Sequence, residues 1–476
     1  MLEVINFRKN RLSILMLKVR LRKILKKIYF RLPVFAQNIA CSYFGFITNQ
    51  RRYGPSFNSR IPEIIARKNY TNKELEEYKN TRLKAFISYC YENIPFYQKQ
   101  FNNLGITSEM INTKEDLSLL PIINKQIVKE NYELFINKNN SINKLISIST
   151  SGTTGTGLTF NTTLEAYREQ WAIWWRYRNS HGINRKYWCA FFGGRAIIPI
   201  NQRKPPYWRI NYPGKEIRFS VYHMTPENLD LYIEQIIKRK IKWIHGNPSS
   251  IKLLAFRVIE TNLMHALKIK YVSLGAENAT DKDIKLISEA FGVLAIQHYG
   301  QSEAVANISQ CIHGNLIVDE DFSIVEFIPI SNSKSHKLIG TNFTNWSFPL
   351  IRYDTGDLIN LNTSKKSCSC LGRQVKDIEG RKEDYIVLRN GAKITRLDII
   401  LKESTNVRCS QFIQDQAGRA DLLIVAGENY CQEDENQIRN TASSLLGDTF
   451  IIKIKYVDKI NLTKSGKLKF IVNNIN

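Results

Sequence analysis

Between residues 229 and 298, apolar runs too short to be helices alternate with amphipathic stretches long enough to be helices. No other feature of the chain constrains its fold as strongly. Residues 229–239, 249–260 and 281–291 carry helical spacing, while 241–245, 268–274 and 293–298 read as strands. Neighbouring strands joined through helices are parallel, because a tight hairpin cannot return the chain in the same direction. The rhythm predicts an α/β fold whose mixed or largely parallel sheet is covered by helices, with ligands beyond the carboxyl ends of the strands.

Upstream, residues 71–100 read as helix. Thr71 and Glu74 form a capping box at its start, and Asn93-Ile94-Pro95 interrupts it. A further helix is expected over residues 164–178. Its stripe of Trp171, Trp174 and Trp175 has the spacing of core packing, with base stacking as the lesser reading. The 476 residues make roughly two to three domains. With 43% of them hydrophobic, disorder is excluded.

The net charge of +25 raises nucleic acid, anionic membrane and phosphorylated ligands as partners. Residues 1–31 supply +9 of it, with Leu12, Leu15, Met16, Val19, Ile24, Leu25 and Ile28 at helical spacing among the basic residues. This arm is expected to lie on an anionic membrane surface or to pack on its own domain with a solvated basic face. Residues 32–50 lack charge, but Gln37, Asn38, Ser42, Thr48 and Asn49 make them a poor membrane span. A cytoplasmic protein is expected, at the inner face of the membrane where the arm engages. No nucleic-acid-binding module accompanies the charge, so nucleic acid is not expected as a partner.

Four segments carry chemistry. Thr150-Ser151-Gly152-Thr153-Thr154-Gly155-Thr156-Gly157 combines glycines that turn backbone amides toward one point with flanking hydroxyls, a nest suited to polyphosphate. It is not a Walker loop, since Leu158 stands where lysine is required. Ser273-Leu274-Gly275-Ala276-Glu277 and His298-Tyr299-Gly300-Gln301-Ser302-Glu303 each close an apolar strand. An aromatic there can stack a purine, and a carboxylate there can hold Mg²⁺ between phosphate oxygens. The third is Arg352-Tyr353-Asp354-Thr355-Gly356-Asp357 with Gly380-Arg381-Lys382-Glu383-Asp384, where one acid can accept both ribose hydroxyls. Last comes Thr463-Lys464-Ser465-Gly466-Lys467 near the C-terminus.

In this order and spacing the segments resemble the adenylate-forming superfamily. Within it they resemble the phenylacetate–CoA ligase family and its branch associated with capsule and surface-polysaccharide biosynthesis. The likeness extends to Arg51-Arg52-Tyr53-Gly54-Pro55, Ile94-Pro95-Phe96-Tyr97, Leu120-Pro121-Ile122-Ile123-Asn124-Lys125 and His245-Gly246-Asn247-Pro248-Ser249. It implies a large N-terminal domain over residues 32–380, a hinge at 381–385 containing Glu383 and Asp384, and a small mobile α+β domain over 386–476. Thr150, Ser151, Gly152, Thr153, Thr154 and Gly155 would wrap the β- and γ-phosphates of ATP. Gly275, Ala276, Glu277 and Tyr299 would line the adenine, with Gly300 and Ser302 beside the nucleotide. Glu303 would hold Mg²⁺, Asp357 and Arg381 would take the ribose, and Lys467 would serve adenylation.

The implied activity joins a small carboxylic acid to AMP and then to a thiol, coenzyme A or a carrier, or to an amine. Two alternatives keep the fold: transfer of AMP itself to an acceptor, and an inactive assembly protein at the membrane surface. The family often carries Cys-x-Cys-Gly-Arg, and Cys368-Ser369-Cys370-Leu371-Gly372-Arg373 departs from it by one residue. With Cys311 and His313 these cysteines are read either as a structural Zn²⁺ site or as reduced thiols. His245 and His298, next to two of the motifs, are expected to border the acid pocket. His181, His223, His265 and His336 are expected at the surface or in the core.

Overall fold

The computed structural model describes residues 24–137, 145–149, 158–277, 279–331, 333–362, 368–378, 385–394, 397–401, 406–427, 430–447, 450–458, 460 and 470–475. The arm before residue 24, the glycine loop at 150–157, the hinge acids with Arg381, and Lys467 lie outside them.

A helical stretch at 24–31 leads through Pro33 into helix α1 (Val34–Arg52), whose polarity is inside out. Asn38 Oδ1 accepts from the Ile210 amide at 2.9 Å. Ser42 Oγ donates to the Ile210 carbonyl at 3.3 Å and accepts from the Tyr212 amide at 3.2 Å. Asn49 donates to the Pro213 carbonyl at 2.7 Å. Gly45 permits this approach, since a Cβ there would fall 1.8 Å from Asn211 Oδ1. The adjoining stripe of Phe35, Ile39, Tyr43 and Phe46 faces outward, 68, 65, 63 and 52% exposed.

Helix α2 (Pro55–Ala66) follows, then α3 (Asn72–Asn93), capped by the reciprocal Thr71–Glu74 box. The expected interruption falls at Ile94, and α4 (Pro95–Leu104) begins on Pro95, whose missing amide hydrogen costs nothing at a first helical position. After α5 (Lys125–Glu130), strands β1 (Leu145–Ser149) and β2 (Thr159–Thr163) pair antiparallel, and the Ser149 and Thr159 hydroxyls meet at 2.9 Å. In sequence the glycine loop lies between these two paired strands. Helix α6 (Leu164–Ser180) starts at once, its Thr163 cap accepting from the Ala166 amide.

One sheet organises the rest of the large lobe. It contains β3 (Cys189–Phe192), β4 (Trp208–Asn211), β5 (Glu216–Phe219), β6 (Trp243–Gly246), β7 (Tyr271–Leu274) and β8 (Ala295–Gly300). It continues through β9 (Asn307–Gln310), β10 (Leu316–Val318), β11 (Ser323–Pro329), β12 (Ser335–Asn342), β13 (Tyr353–Leu361) and β14 (Gln374–Ile378). The strand order is β11-β12-β13-β14-β10-β9-β8-β7-β6-β3-β5-β4. Pairing is parallel from β8 to β5 and antiparallel elsewhere, so the sheet is mixed. Helices α7 (Pro226–Lys238), α8 (Pro248–Glu260) and α9 (Asp281–Phe291) alternate with the parallel strands, as the periodicity requires.

A buried ion-pair network ties α6 to this sheet. Arg176 contacts both oxygens of Asp321 (2.7 and 2.8 Å) and Asp319 (2.8 Å). Arg67 lies 3.5 Å from Asp321 and 3.8 Å from Glu169, which also holds Arg82 at 2.7 Å.

The small lobe opens with the hairpin β15 (Ile386–Val387) and β16 (Lys393–Ile394), then helix α10 (Asp398–Leu401). Strands β17 (Val407–Gln416) and β18 (Arg419–Ala426), helix α11 (Gln432–Leu446), β19 (Ile451–Tyr456) and β20 (Ile471–Asn473) complete a sheet of order β19-β18-β17-β20. Its buried side chains are continuous with those covering β3–β8, and Asn390 donates to the Tyr222 carbonyl at 3.4 Å.

Beside that junction His223 is buried, stacked on Tyr207 and bonded through Nδ1 to Ser220 Oγ at 2.8 Å. Burial lowers its pKa to about 4. At neutral pH the ring is uncharged whether the chain is folded or not, so it contributes nothing. As pH falls below about 6.5 the unfolded ring takes a proton that the folded one refuses. Stability is then lost until the folded ring titrates near pH 4, about 3 kcal/mol in all. Melting temperatures measured from pH 7 to pH 4 should fall more shallowly for His223→Asn than for the unaltered chain.

Candidate active site

The carboxyl ends of β6, β7 and β8 lie side by side, bringing His245-Gly246, Gly275-Ala276 and Tyr299-Gly300 together. Ala276 turns the chain in the left-handed region (φ 68°), and Ala304 does the same (φ 56°) where its amide closes a turn on the Gln301 carbonyl. Gly300 must lack a side chain, since a Cβ would sit 2.8 Å from Asn307 Oδ1 and 3.0 Å from Trp174 Nε1, which are hydrogen-bonded to each other. Tyr299 Oη donates to Asp357 Oδ2 at 2.6 Å, joining the end of β8 to β13. Glu303 is buried one turn on, with Tyr353 Oη 3.5 Å from its carboxylate and Asn342 donating to its carbonyl. Ser302 lies in the intervening turn.

The Glu277 side chain is engaged elsewhere. Its carboxylate accepts from Asn247 Nδ2 at 2.8 Å and from the Ser249 amide at 3.2 Å, capping the start of α8. Only the backbone of the 275–277 turn is left to face a ligand.

A cavity of about 740 Å³ opens beside these strand ends, lined by Gly275, Ala276 and Gly300 and by His245 and His298. Burial, with Arg178 adding to it, lowers His245 to about 3 and holds His298 well below its ordinary value, so both rings are neutral at pH 7. Trp175 packs into the core, yet Trp171, Trp174 and Trp175 all present surface to the cavity. The helix thus serves core and pocket together, which periodicity alone could not separate. Arg52, Arg178, Arg185 and Arg218 also line it, and the sequence reading had missed them. For Arg178 alone the pattern carries a signal, an arginine one helical turn beyond Trp174 and Trp175.

The fold that carries these strand ends matches solved structures over most of the chain. With 2-hydroxyisobutyryl-CoA ligase in complex with 2-HIB-AMP and CoA in the thioesterification state, the TM-score is 0.58 at 16% identity. That match covers 86% of this chain and 92% of that one. For the same enzyme in the postadenylation state, in complex with R3-HIB-AMP, the values are 0.52 and 15%, over 86% and 91%. The fold is that of the adenylate-forming ligases. Residues 386–474, the small lobe of this adenylate-forming fold, match the CapK C-terminal domain family. The chain is 28% identical to Protein CapK of Staphylococcus aureus, over 95% of its own length and all of that protein's. It is 24% identical to phenylacetate-coenzyme A ligase of Thermus thermophilus, over 67% of its length and 72% of that enzyme's.

Away from the cavity, the Sγ atoms of Cys311, Cys368 and Cys370 lie within 4.8 Å of one another, with Cys311 and Cys368 at 3.5 Å. His313 is exposed and does not join the group, because the turn after β9 directs it outward.

Proposed function

We propose that the protein is an ATP-dependent acid ligase. A carboxylate oxygen of the acid attacks the α-phosphorus of ATP, pyrophosphate leaves, and a thiol or amine then displaces AMP from the acyl carbon. The single observation that carries this reading is the Tyr299–Asp357 contact at the carboxyl end of β8, beside a cavity of acid size. It pairs an aromatic for the base with a carboxylate for the ribose hydroxyls. Attack of one anion on another is limited by positioning and charge, which amides of the loop at 150–157, Arg381 and Lys467 would supply. Glu303 is a buried hard oxygen donor of the kind Mg²⁺ takes, and the bound ion would neutralise phosphate charge. The likeness to CapK supports a place in surface-polysaccharide biosynthesis, and the CoA ligases support coenzyme A as the thiol. Pyrophosphate release that requires an acid, followed by AMP release that requires a thiol or amine, tests the reading. AMP appearing covalently on an acceptor with no acid present would replace it.

The outward stripe of α1 extends the basic arm's role. Phe35, Ile39, Tyr43 and Phe46 adjoin Lys26, Lys27 and Arg31, a combination fitted to an anionic leaflet. No described helix is long and apolar enough to cross a membrane, so the helix would lie in the interface. Co-sedimentation with phosphatidylglycerol vesicles should exceed that with phosphatidylcholine vesicles. Phe35→Asp with Ile39→Asp should weaken it about 100-fold or more, the scale of two buried apolar side chains. Equal binding to both vesicles would reject the idea.

Cys311, Cys368 and Cys370 supply three of the four ligands of a structural zinc site. Metal analysis of the purified protein should find about one zinc equivalent, lost in Cys368→Ser. Less than about half an equivalent would mean reduced thiols.

A further inference from the structure

Along α6, the buried guanidinium groups of Arg168 and Arg176 have carbonyl, hydroxyl or carboxylate partners in the protein, and that of Arg178 has none among the described residues. Arg168 donates to the Gln50 and Arg51 carbonyls and to Ser56 Oγ at 2.7–3.1 Å. Arg176 has Asp319 and Asp321. Arg178, 4% exposed, has no hydrogen bond and no ion pair among the described residues, and its Nε is sealed from solvent without a partner. What surrounds its guanidinium is aromatic: Trp175, Trp243 and Trp171, with ring centres at 5.2, 5.8 and 5.9 Å. A buried charge left unpaired is among the most costly arrangements a fold can hold, and it persists where a ligand completes it.

The surroundings deepen the deficit. Arg52 lies over the Trp171 ring at 3.8 Å, placing a second cation close by. The carboxylate lining the cavity, Glu216, is already taken by Arg218 at 2.9 Å and Asn211 at 3.0 Å. Trp171 Nε1 and His298 Nδ1 are likewise buried without partners on the same cavity. An apolar acyl chain would leave the cation and both ring nitrogens unsatisfied.

We infer that this cavity contains an anion subsite built on Arg178, and that the acid activated here carries a second negative group, a carboxylate or phosphoryl, paired with that guanidinium. The planar fork of arginine matches both groups bidentately. The reacting carboxylate is then left for the Gly275–Gly300 end, unpaired and nucleophilic. The second half of the inference rests on the acid-ligase reading; the subsite itself does not.

The test separates them. Tryptophan fluorescence reports binding directly, because Trp171, Trp174, Trp175 and Trp243 line the cavity. Glutarate and adipate are titrated without ATP against valerate and hexanoate, and 3-phosphonopropionate distinguishes a phosphoryl from a carboxylate end. The doubly charged ligands should bind about 100-fold tighter, the scale of a buried charge pair. Arg178→Met should bring them down to the monoacids, and Arg178→Lys should retain part of the difference. The wild-type comparison stands even where a variant fails to fold. Equal affinity for mono- and diacids overturns the subsite. So does an equal loss of both in Arg178→Met, which would give Arg178 to the reacting carboxylate. Pyrophosphate release is then measured with the same acids and ATP. Release with diacids only upholds the whole inference, and release with monoacids only overturns its substrate half. Diacid binding with no release from any acid keeps the subsite and removes the ligase reading.

Discussion

Lys467→Ala is expected to lower acid-dependent pyrophosphate release by about 100-fold or more, the scale of one lost charge-stabilising donor in a water-poor site. In the transition state negative charge gathers around the α-phosphorus as the carboxylate arrives and pyrophosphate departs, and an ammonium there gains most at that moment. ATP affinity should change only a few-fold, because the proposed role has the lysine act where charge develops and not where the base and ribose are held. Ile460 and Phe470, the described residues that precede and follow it in sequence, are buried in the small lobe. The second half-reaction, started from synthetic acyl-adenylate, should survive in the variant. Pyrophosphate exchange at the wild-type rate would remove Lys467 from the adenylation step.

The second large effect is on stability. Asp321→Ala should destabilise the large lobe by about 3–5 kcal/mol, because it strips both oxygens from buried Arg176 and a 3.5 Å contact from Arg67, which keeps Glu63 at 2.8 Å. Burial alone would push the Asp321 carboxyl up, but Arg176 outweighs it and the net shift is downward, as a strong pair requires. Asp319 still holds Arg176 at 2.8 Å, which keeps the loss toward the lower end of that range. The double variant Asp321→Leu with Arg176→Met should recover only part of it, since the apolar pair removes the Arg176 cation but leaves Asp319 without its arginine. Urea unfolding followed by tryptophan fluorescence reads all three proteins. A single variant within about 1 kcal/mol of the parent would show that water reaches the network.

The features legible in the sequence were those fixed locally. The alternation of strands and helices from residue 229 onward, the Thr71–Glu74 cap and the break at Ile94 depend on periodicity and turn chemistry within a few residues. The turns at Gly275-Ala276 and after Gly300 belong to the same class. Partner choice was not legible. Glu277 has the same chemistry whether it meets a nucleotide or the start of α8, and only the fold decides. Gln37, Asn38, Ser42 and Asn49 argued against residues 32–50 crossing a membrane, and no described helix is long and apolar enough to do so, but they did not say which way the helix faces. Polarity says that a group needs a partner, not that the partner is water. On α1, Asn38, Ser42 and Asn49 found theirs in the backbone beside β4, and the apolar stripe was left outside. Arg178 follows the same rule in reverse, a cation whose missing counterpart no linear pattern reveals.

That placement of α1 has a further effect. Among the described residues strand β4 is the last of its sheet, with β5 on one side and no strand on the other. An open border of this kind invites another chain to zip onto it, the usual starting point of aggregation. By occupying the amide of Ile210 and the carbonyls of Ile210 and Pro213, α1 works as a hem along that border. Trimming the protein back to Tyr53 to make it more soluble would therefore do the opposite, exchanging a greasy helix for a raw, self-templating seam.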